Sequence, residues 1–447
     1  MIKNYVVLFI VILFAISSNS AHAKGIASES FTLQNGLQVV VIPNHKVPAV
    51  AQVMCYKIGG IDDPYGKSGI AHFLEHLMFK GTAKVPNGEF SSRIARNGGN
   101  DNAFTSHDYT AYFQMIAKEK LPMIMELEAD RMRGLLFDKQ ETLKEREVIL
   151  EERNMRIDNE PRALLLEQMS ATLFLNHPYH RPVIGWRHEM EGLTLEDARN
   201  AYHTFYAPNN AILVVAGDVT AEELRPLAEK YFGPIEKSTL PVRMELKEPP
   251  AIAKRTVELR DANVHVPELI RYYIAPNATP ALLKQVAALM VMEHILGGGD
   301  TSRLYQSLVI DQGIAASVNT EYDPFTKGPS IFSISVTPRQ GQNLGAVEQA
   351  VDKELKHFLT HPLTNAELIR TKQLLHAENT YDRESFKTLA FLFAQIISTG
   401  LPLTYIDDLD SMINKVTIDD VTQAAKGVLI DKQSVTGTLL PTVMTEK

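Results

Sequence analysis

The sequence predicts an α+β protein built from two homologous domains, because strand-like and helical patterns follow the same order in both halves of the chain. Two further observations support this fold class. A proline-rich segment separates the halves, and a short motif occurs once in each, beginning at Leu74 as LEHL and at Met292 as MEHI. At about 100–200 residues per domain, a chain of 447 residues suggests two to four domains with sizeable cores.

Each half begins with strands and continues into helices, as hydrophobic periodicity and the positions of glycine and proline indicate. In the first half the predicted elements are strands at residues 37–43 and 49–58, a helix at 68–79, strand character at 104–117, helices at 121–133 and 139–158, a helix after Pro161, a strand at 210–217 and a helix at 221–231. In the second half they are strands at 254–259 and 268–274, a helix at 280–296, strands at 314–322 and 330–337, and helices at 344–360, 365–379 and 385–398.

Changes of composition place the domain boundaries. Residues 1–23 combine Lys3, an unbroken apolar run and an Ala-His-Ala site, which predicts a cleavable signal peptide and a periplasmic or secreted protein. A retained membrane anchor is the alternative, but the apolar run is about half the roughly 20 residues that a bilayer span needs. Prolines and mixed charges predict a linker at 241–253, between an N-terminal domain at 24–240 and a homologous C-terminal domain at 254–447.

The composition excludes several classes of protein. With 45% hydrophobic and 22% charged residues, the chain is too apolar to be intrinsically disordered. A formal net charge of -8 disfavours a nucleic-acid-binding protein, whose surface would be basic. The single cysteine, Cys55, excludes an intramolecular disulfide and any zinc site made of several cysteines. A metal site in this chain therefore depends on His, Asp and Glu.

Residues 72–76 read HFLEH, an H-x-x-E-H motif within an otherwise apolar helix. His72 and His76 are four residues apart, so their imidazoles lie one turn apart on one face, where both can bind the same ion. Glu75 lies beside this face, where its carboxylate can take a proton from water at the ion. Ionisable groups on an apolar helix are costly to bury without a partner. We favour a metal site over the alternative, two hydrogen-bonded core histidines and a solvated glutamate.

A third ligand is needed, because hydrolytic zinc sites use three protein ligands and keep a fourth position for water. The strongly acidic helix at residues 145–152, EREVILEE, offers candidates. Glu145 and Glu152 are seven residues apart and therefore share a face. Taken alone, this segment is also typical of a solvated charged helix, and its spacing does not choose among the glutamates.

The order of four motifs, HFLEH, Gly-Thr, N-A-x-T and E-R-x-V-I-x-x-E, resembles the pitrilysin/insulinase family of zinc peptidases. In particular, it is similar to the short secreted bacterial members related to the mitochondrial processing peptidase. The resemblance covers nearly all of the chain after residue 23 and is strongest at residues 59–161. It implies that each domain is a mixed, mainly antiparallel sheet with packed helices.

The resemblance also implies roles for particular residues. It implies that His72, His76 and Glu152 bind Zn²⁺ in the N-terminal domain, which is then the catalytic one. Glu75 is implied to be the general base. Glu145 is implied to support the catalytic site without binding the metal. Bound zinc would lower the pKa of water towards about 7 and polarise the scissile carbonyl.

The family's active-site edge strand, on which substrate is held as an added β-strand, matches a single segment of this chain. Its implied substrate-binding residues are Asn102, Ala103, Phe104 and Thr105. Asp108, Thr110 and Tyr112 continue the match, and their two-residue spacing would place them on one face. An ordinary strand within a sheet is the alternative for most of these side chains.

The C-terminal domain departs from the family pattern. Many members carry an arginine and a tyrosine, seven residues apart, after a G-G-G-x-x-S-R-L segment, and this pair helps to hold the substrate. The segment is present at residues 297–304, but Val309 and Ala316 stand where arginine and tyrosine are expected. Met290 stands where a first histidine would be, so Glu293 and His294 predict no second zinc site.

The missing pair leads to a hypothesis about partners. A homologous zinc-less subunit would supply the arginine and tyrosine in a heterodimer. The alternatives are a homodimer that works without the pair, or substitution by a neighbour such as Arg303. The predicted function is hydrolysis of peptides or unfolded segments, enclosed in a chamber, by a zinc endopeptidase. The alternative function is a structural or assembly subunit of the same family, although such a subunit would not need the four site residues.

Overall fold

The computed structural model describes residues 25–243, 245–361 and 363–442, so the predicted signal peptide lies outside the described residues. The strands are β1 (Glu29–Thr32), β2 (Gln38–Pro43), β3 (Ala49–Tyr56), β4 (Asn100–Thr105), β5 (Thr110–Ala117), β6 (Ala211–Gly217), β7 (Arg255–Asp261), β8 (Glu268–Ala275), β9 (Ala315–Tyr322), β10 (Ser330–Pro338) and β11 (Ser434–Pro441). The helices are α1 (Ile70–Leu77), α2 (Glu89–Arg96), α3 (Leu121–Gly134), α4 (Lys139–Arg153), α5 (Pro161–Leu173), α6 (Arg187–Met190), α7 (Leu195–Phe205), α8 (Ala221–Phe232), α9 (Leu283–Gly297), α10 (Leu344–Thr360), α11 (Asn365–Glu384), α12 (Phe386–Ser398), α13 (Tyr405–Lys415) and α14 (Ile418–Val428).

Strands of the first half form one sheet in the order β1-β2-β6-β3-β5-β4. Strands β2 and β6 are parallel, and the other described pairs are antiparallel. Strand β6 is buried along its whole length, and its sequence AILVVAG is apolar on both faces because the sheet is covered on both sides. Strand β4 lies at an edge of the sheet, beside β5.

Strands of the second half form a sheet in the order β7-β11-β8-β10-β9. Strands β7 and β11 are parallel, and the other described pairs are antiparallel. This arrangement repeats β2-β6-β3-β5-β4 strand for strand, with the same directions. The predicted α+β fold with two homologous domains, each a mixed and mainly antiparallel sheet with helices, is therefore confirmed. The boundaries at residues 24–240, 241–253 and 254–447 stay predictions.

Each half covers the other half's sheet with one helix. Helix α12 packs on β3 and β6, where Phe393 shares a buried cluster with Val214. Helix α5 packs on β7 and β11, where Met169 lies with Val435. Gly437 permits this close approach, because a Cβ atom at this position would lie only 2.1 Å from Sδ of Met169. The two halves therefore share their hydrophobic cores, which the order of elements along the chain did not predict.

The strand character predicted at residues 104–117 needs a correction, because it spans a hairpin of β4 and β5. Ser106 closes the turn with its side chain, which donates a hydrogen bond to the carbonyl of Tyr109 at 2.9 Å and accepts one from its N–H at 3.1 Å. The turn lacks the Gly or Pro that usually marks such a position. Asp108 therefore lies in the turn and does not share a strand face with Thr110 and Tyr112.

The helix predicted at residues 139–158 also needs a correction. Helix α4 ends at Arg153, and the chain continues in a wider π-helical turn, Asn154–Asp158. Asp158 is held by ion pairs from Arg153 at 3.2 Å and from Arg187, which fixes the backbone of this turn. Such wide turns occur frequently at functional sites.

The described residues of the predicted linker, 241–243 and 245–253, form neither helix nor strand. Arg243 ties this segment to the first half, since its Nε donates to Asp62 at 2.7 Å and its Nη2 donates to the carbonyl of Lys57 at 2.6 Å. Over the described part of the chain, none of the helices combines the length and the apolar character that crossing a membrane requires.

Candidate active site

Helix α1 carries the H-x-x-E-H motif and lies beside the edge strand β4 and helix α4. Its N-terminus is held by Asp63, whose carboxylate accepts hydrogen bonds from the backbone N–H of Gly69 at 2.7 Å and of Ala71 at 3.1 Å. Phe73 and Leu74 are fully buried in the core. The histidines of α1 are thereby left to face α4, which carries the acidic motif.

The three predicted metal ligands lie together. Oε2 of Glu152 is 3.7 Å from Nε2 of His72 and 3.2 Å from Nε2 of His76. One ligand atom from each residue lies within 4.8 Å of the other two. In the described part of the chain, no other group of three His, Cys, Asp or Glu side chains meets this condition. Two neighbouring helices thus bring His76 and Glu152 together, although 76 positions separate them in the sequence.

Glu145 lies on the other side of the His76 ring. Its Oε1 accepts a hydrogen bond from Nδ1 of His76 at 2.9 Å, and its Oε2 pairs with Nζ of Lys80. Burial acts to raise the pKa of Glu145, but these two partners outweigh it and hold the pKa below its ordinary value. A carboxylate in this position fixes the tautomer and the orientation of a ligand histidine. Glu145 is therefore placed to support His76 from outside the ligand set.

Glu75 is buried, with 8% of its surface exposed, and its Oε2 accepts a hydrogen bond from Oγ1 of Thr105 at 2.6 Å. Thr105 lies 3.3 Å from the hydroxyl of Thr110, which donates to the carbonyl of Ile58 at 2.9 Å. Burial raises the pKa of Glu75 more than the Thr105 hydrogen bond lowers it. A raised pKa brings a carboxylate closer to the range of an effective general base.

Burial and contacts among the residues of the site set their pKa values. Burial and the neighbouring His76 lower the pKa of His72. Burial also acts against a charge on His76, but its contacts with Glu145 and Glu152 outweigh burial and raise its pKa. The contact with His76 is the main cause that lowers the pKa of Glu152. A metal ion bound here would replace the proton of His76.

The donor set fits zinc. Oε2 of Glu152 is buried and makes no hydrogen bond to the described residues, although it lies between two imidazole nitrogens. A buried carboxylate oxygen that lies between two imidazole nitrogens without a well-formed hydrogen bond to either requires an explanation, and an ion bound by all three groups would supply one. Two imidazoles and one carboxylate, with a fourth position open, are a donor set that hydrolytic zinc enzymes use.

A cavity of about 800 Å³ opens in front of these residues, and β4 forms one of its walls. The predicted substrate-binding residues all line the cavity, and they are Asn102, Ala103, Phe104 and Thr105. Their side chains alternate, since Thr105 reaches Glu75 while Phe104 packs against Phe391 of α12, with ring centroids 6.1 Å apart. Among the described strands, only β5 pairs with β4, which leaves the other edge of β4 for an extended peptide.

Comparisons with known proteins agree with this arrangement. The sequence profile named Insulinase (Peptidase family M16) matches residues 38–186, and the profile named Peptidase M16 inactive domain matches residues 192–375. The zinc protease PqqE of Helicobacter pylori is 32% identical over 417 residues, which are 92% of this chain and 93% of that protein. The chain belongs to peptidase family M16, the insulinase family. The resemblance found in the motifs is thereby confirmed.

Two further proteins are similar to this chain over most of its length. A Bacillus subtilis protein named uncharacterized zinc protease YmxG is 26% identical over 364 residues, which are 79% of this chain and 84% of that protein. The crystal structure of a protease from Helicobacter pylori has a TM-score of 0.88 at 31% identity, and it covers 94% of this chain and 100% of that chain. The two-domain M16 fold therefore extends over nearly the whole chain.

The second M16 half keeps part of the same constellation. On α9, Glu293 accepts a hydrogen bond from Oγ1 of Thr320 at 3.1 Å, as Glu75 does from Thr105 in the first half. Nε2 of His294 lies 3.2 Å from Glu378 on α11, which repeats the 3.2 Å distance between Nε2 of His76 and Glu152. Met290 replaces the first histidine. The second half thus retains counterparts of Glu75, His76 and Glu152 but lacks the first histidine.

The positions of the missing arginine and tyrosine are also defined. Val309 is buried, and Ala316 lies on the edge strand β9. Arg303 donates hydrogen bonds to Glu367 from Nε at 2.7 Å and from Nη2 at 3.1 Å. This ion pair already engages the guanidinium, which weighs against Arg303 as a substitute for the pair.

Sequence reasoning missed two charged residues of the site and one contact. Lys80 follows His76 by four residues, and Arg156 follows Glu152 by four, so helical spacing could have placed both beside the ligands. Thr105 was assigned to the edge strand, but its hydrogen bond to Glu75 joins residues 30 positions apart. A contact between residues so far apart in the sequence leaves no pattern in the sequence around either residue.

Proposed function

We propose that the chain is a zinc-dependent endopeptidase in which His72, His76 and Glu152 hold the ion. The observation that carries this proposal is the convergence of these three side chains, in which the buried Oε2 of Glu152 lies 3.7 Å from Nε2 of His72 and 3.2 Å from Nε2 of His76. Zinc at such a site supplies a Lewis acid that polarises a carbonyl group and acidifies a water molecule. Membership of family M16 and the names of its relatives support this chemistry.

The protein's own residues have separate tasks in this proposal. Glu75 is the general base, and it takes a proton from the attacking water and passes it to the leaving amine. Thr105 holds this carboxylate in place through its 2.6 Å hydrogen bond. Glu145 holds the imidazole of His76 with Nε2 directed at Glu152. The two holding roles, those of Thr105 and Glu145, correspond to contacts that are present in the structure.

The substrate is an extended peptide or unfolded segment that adds to the sheet beside β4. Main-chain hydrogen bonds would supply its affinity, so extension matters more than sequence. Asn102, Ala103, Phe104 and Thr105 would form this binding strand. The position of β4 at the sheet edge and beside α1 supports this mode of binding.

The proposal extends to a partner and a location. Val309 and Ala316 stand where the family has arginine and tyrosine, and Arg303 is already engaged in an ion pair. Both observations support a heterodimer in which a homologous zinc-less subunit supplies the arginine and the tyrosine. A homodimer is the alternative. The sequence of residues 1–23 supports export to the periplasm or the medium. Full peptidase activity of the purified chain alone would contradict the heterodimer.

The test of the function compares wild-type protein with Glu75→Gln and with Glu293→Gln, its counterpart in the second half. We expect wild-type protein, assayed together with the homologous subunit, to cleave an unstructured peptide, to lose this activity with a chelator and to regain it with zinc. Glu75→Gln should keep its zinc and lose cleavage, whereas Glu293→Gln should keep both. Equal activity of Glu75→Gln and wild-type protein would exclude Glu75 as the base. Zinc-loaded wild-type protein that cleaves no peptide, with or without a homologous subunit, would favour a structural role.

A further inference from the structure

We propose that Arg156 binds a carboxylate group of the peptide, so that the site selects acidic substrates. The inference rests on the proposed peptidase function and names a class of substrate for it. It is independent of the arginine and tyrosine that a partner would supply, because Arg156 belongs to the catalytic half itself.

The position of Arg156 supports this role. It lies in the π-helical turn Asn154–Asp158, directly after the helix that carries Glu152, and it lines the cavity. Its side chain is 74% exposed, whereas those of the three proposed ligands are between 12% and 21% exposed. Arg156 therefore reaches the open space in which a bound peptide would lie.

The contacts of Arg156 leave most of its donors available. Its Nε lies 3.1 Å from Oε1 of Glu152, the carboxylate oxygen that does not lie between the two histidines. Its two terminal nitrogens make no hydrogen bond to any residue in the described part of the chain. A guanidinium group carries five N–H donors in one plane and can bind a carboxylate with two parallel hydrogen bonds.

The charges around the cavity point to the same residue. Three carboxylates line it, Glu75, Glu145 and Glu152, and they would repel an acidic peptide. Of the two lysine or arginine residues in the described lining, Lys80 is engaged by Glu145. Arg156 is thus the cation with free donors, and the ion pairs that hold Asp158 fix the backbone from which it extends.

The experiment measures binding of labelled peptides to zinc-loaded Glu75→Gln protein by fluorescence anisotropy. The peptides are identical except for Glu or Gln on either side of the cleavage point, and each pair is made with a free and with an amidated C-terminus. We expect one Glu peptide, or the peptide with the free terminus, to bind about tenfold more tightly than its neutral partner. Which pair shows the difference identifies the carboxylate as a side chain or as the chain terminus.

The quantity compared between variants is the ratio of the two affinities, that of the acidic peptide divided by that of its neutral partner. Adding Arg156→Gln to the Glu75→Gln protein should reduce this ratio to about one, and adding Arg156→Lys should leave a ratio between one and the original value. Arg260→Gln, an exposed arginine of β7 in the second half, is the matched control and should keep the ratio. A general loss of binding or of zinc would lower both affinities together and leave the ratio unchanged. A ratio near one before the substitution, or a ratio that survives Arg156→Gln, would overturn the inference. Lack of peptide cleavage by wild-type protein, with and without the homologous subunit, would refute the peptidase function, but if the preference for the acidic peptide were intact the carboxylate site would stand.

Discussion

Glu145 accepts a hydrogen bond from Nδ1 of His76 at 2.9 Å, and this contact directs the opposite nitrogen of the imidazole towards Glu152. The same carboxylate pairs with Lys80, so its own orientation is fixed by a second partner. The relationship explains why two glutamates seven residues apart on α4 are both part of the site. One would bind the ion, and the other would orient a ligand.

Glu145→Gln is predicted to lower zinc affinity by about 10–100-fold, because the orienting group loses its charge while its shape is kept. Competition with a chromophoric chelator measures this affinity. Glu147→Gln removes an exposed carboxylate from the same helix and should leave the affinity unchanged. Equal affinities of Glu145→Gln and Glu147→Gln would show that the contact with His76 does not orient the ligand.

His294 gives a prediction about pH and stability. Burial acts against a charge on its imidazole, but Glu293 and Glu378 outweigh burial and raise its pKa in the folded protein. A raised folded pKa contributes stability that is fully present below the unfolded value of about 6.5 and is lost as pH rises through the folded value. His294→Gln should therefore lower the denaturant midpoint most at acidic pH and progressively less above neutral pH. His188→Gln, at an exposed position, should show no such trend, and a pH-independent effect of His294→Gln would contradict the ion pairs.

The exchange of helices α5 and α12 predicts that the two halves unfold together. Phe393→Ala leaves a cavity between α12 and the first sheet and should destabilise the protein by about 3–5 kcal/mol. Trp186, the single tryptophan, reports on the first half, although the substitution lies in the second. Its fluorescence transition should shift by the same amount as far-UV circular dichroism. A tryptophan transition that does not move would show that the halves are energetically separate.

Tyr179 joins the two halves at a buried contact. Its hydroxyl donates to Asp108 at 2.5 Å and accepts from the N–H of Gly328 at 2.9 Å, while the other oxygen of Asp108 accepts from the N–H of Lys327 at 2.9 Å. Tyr179→Phe should lower the free energy of unfolding by about 1–3 kcal/mol, because the buried carboxylate of Asp108 and the N–H of Gly328 both lose a hydrogen-bond partner. The backbone amide of Gly328 should then exchange with solvent faster. Tyr381→Phe, at an exposed tyrosine, is the control and should change neither quantity.

Much of the fold and of the site could be predicted because the relevant signals are local. The four-residue spacing of His72 and His76 places them on one helix face, and the repeated order of strands and helices predicted the duplication. Glu152 was different, since spacing left several glutamates open and the family resemblance was needed to choose one. In the structure, Glu152 lies beside both histidines.

Other elements were missed for identifiable reasons. Helix α7 was not predicted, although Thr194 and Asp197 form a capping box at its start, so a local signal existed and was not used. The turn between β4 and β5 was missed because Ser106 replaces the usual Gly or Pro signal with a side-chain hydrogen bond. Helix α5 packs on the sheet of the second half, and helix α12 packs on the sheet of the first half. Both arrangements depend on contacts between distant segments, and such contacts leave no pattern in the sequence near either helix.

The most direct test of the account is a crystal structure of the zinc-loaded protein with anomalous scattering measured at the zinc edge. We expect one strong peak at about 2.0–2.2 Å from Nε2 of His72, Nε2 of His76 and a carboxylate oxygen of Glu152. Glu145 should lie outside the coordination shell and remain bonded to His76. A zinc peak elsewhere, or no peak between these three side chains in protein that contains stoichiometric zinc, would contradict the account.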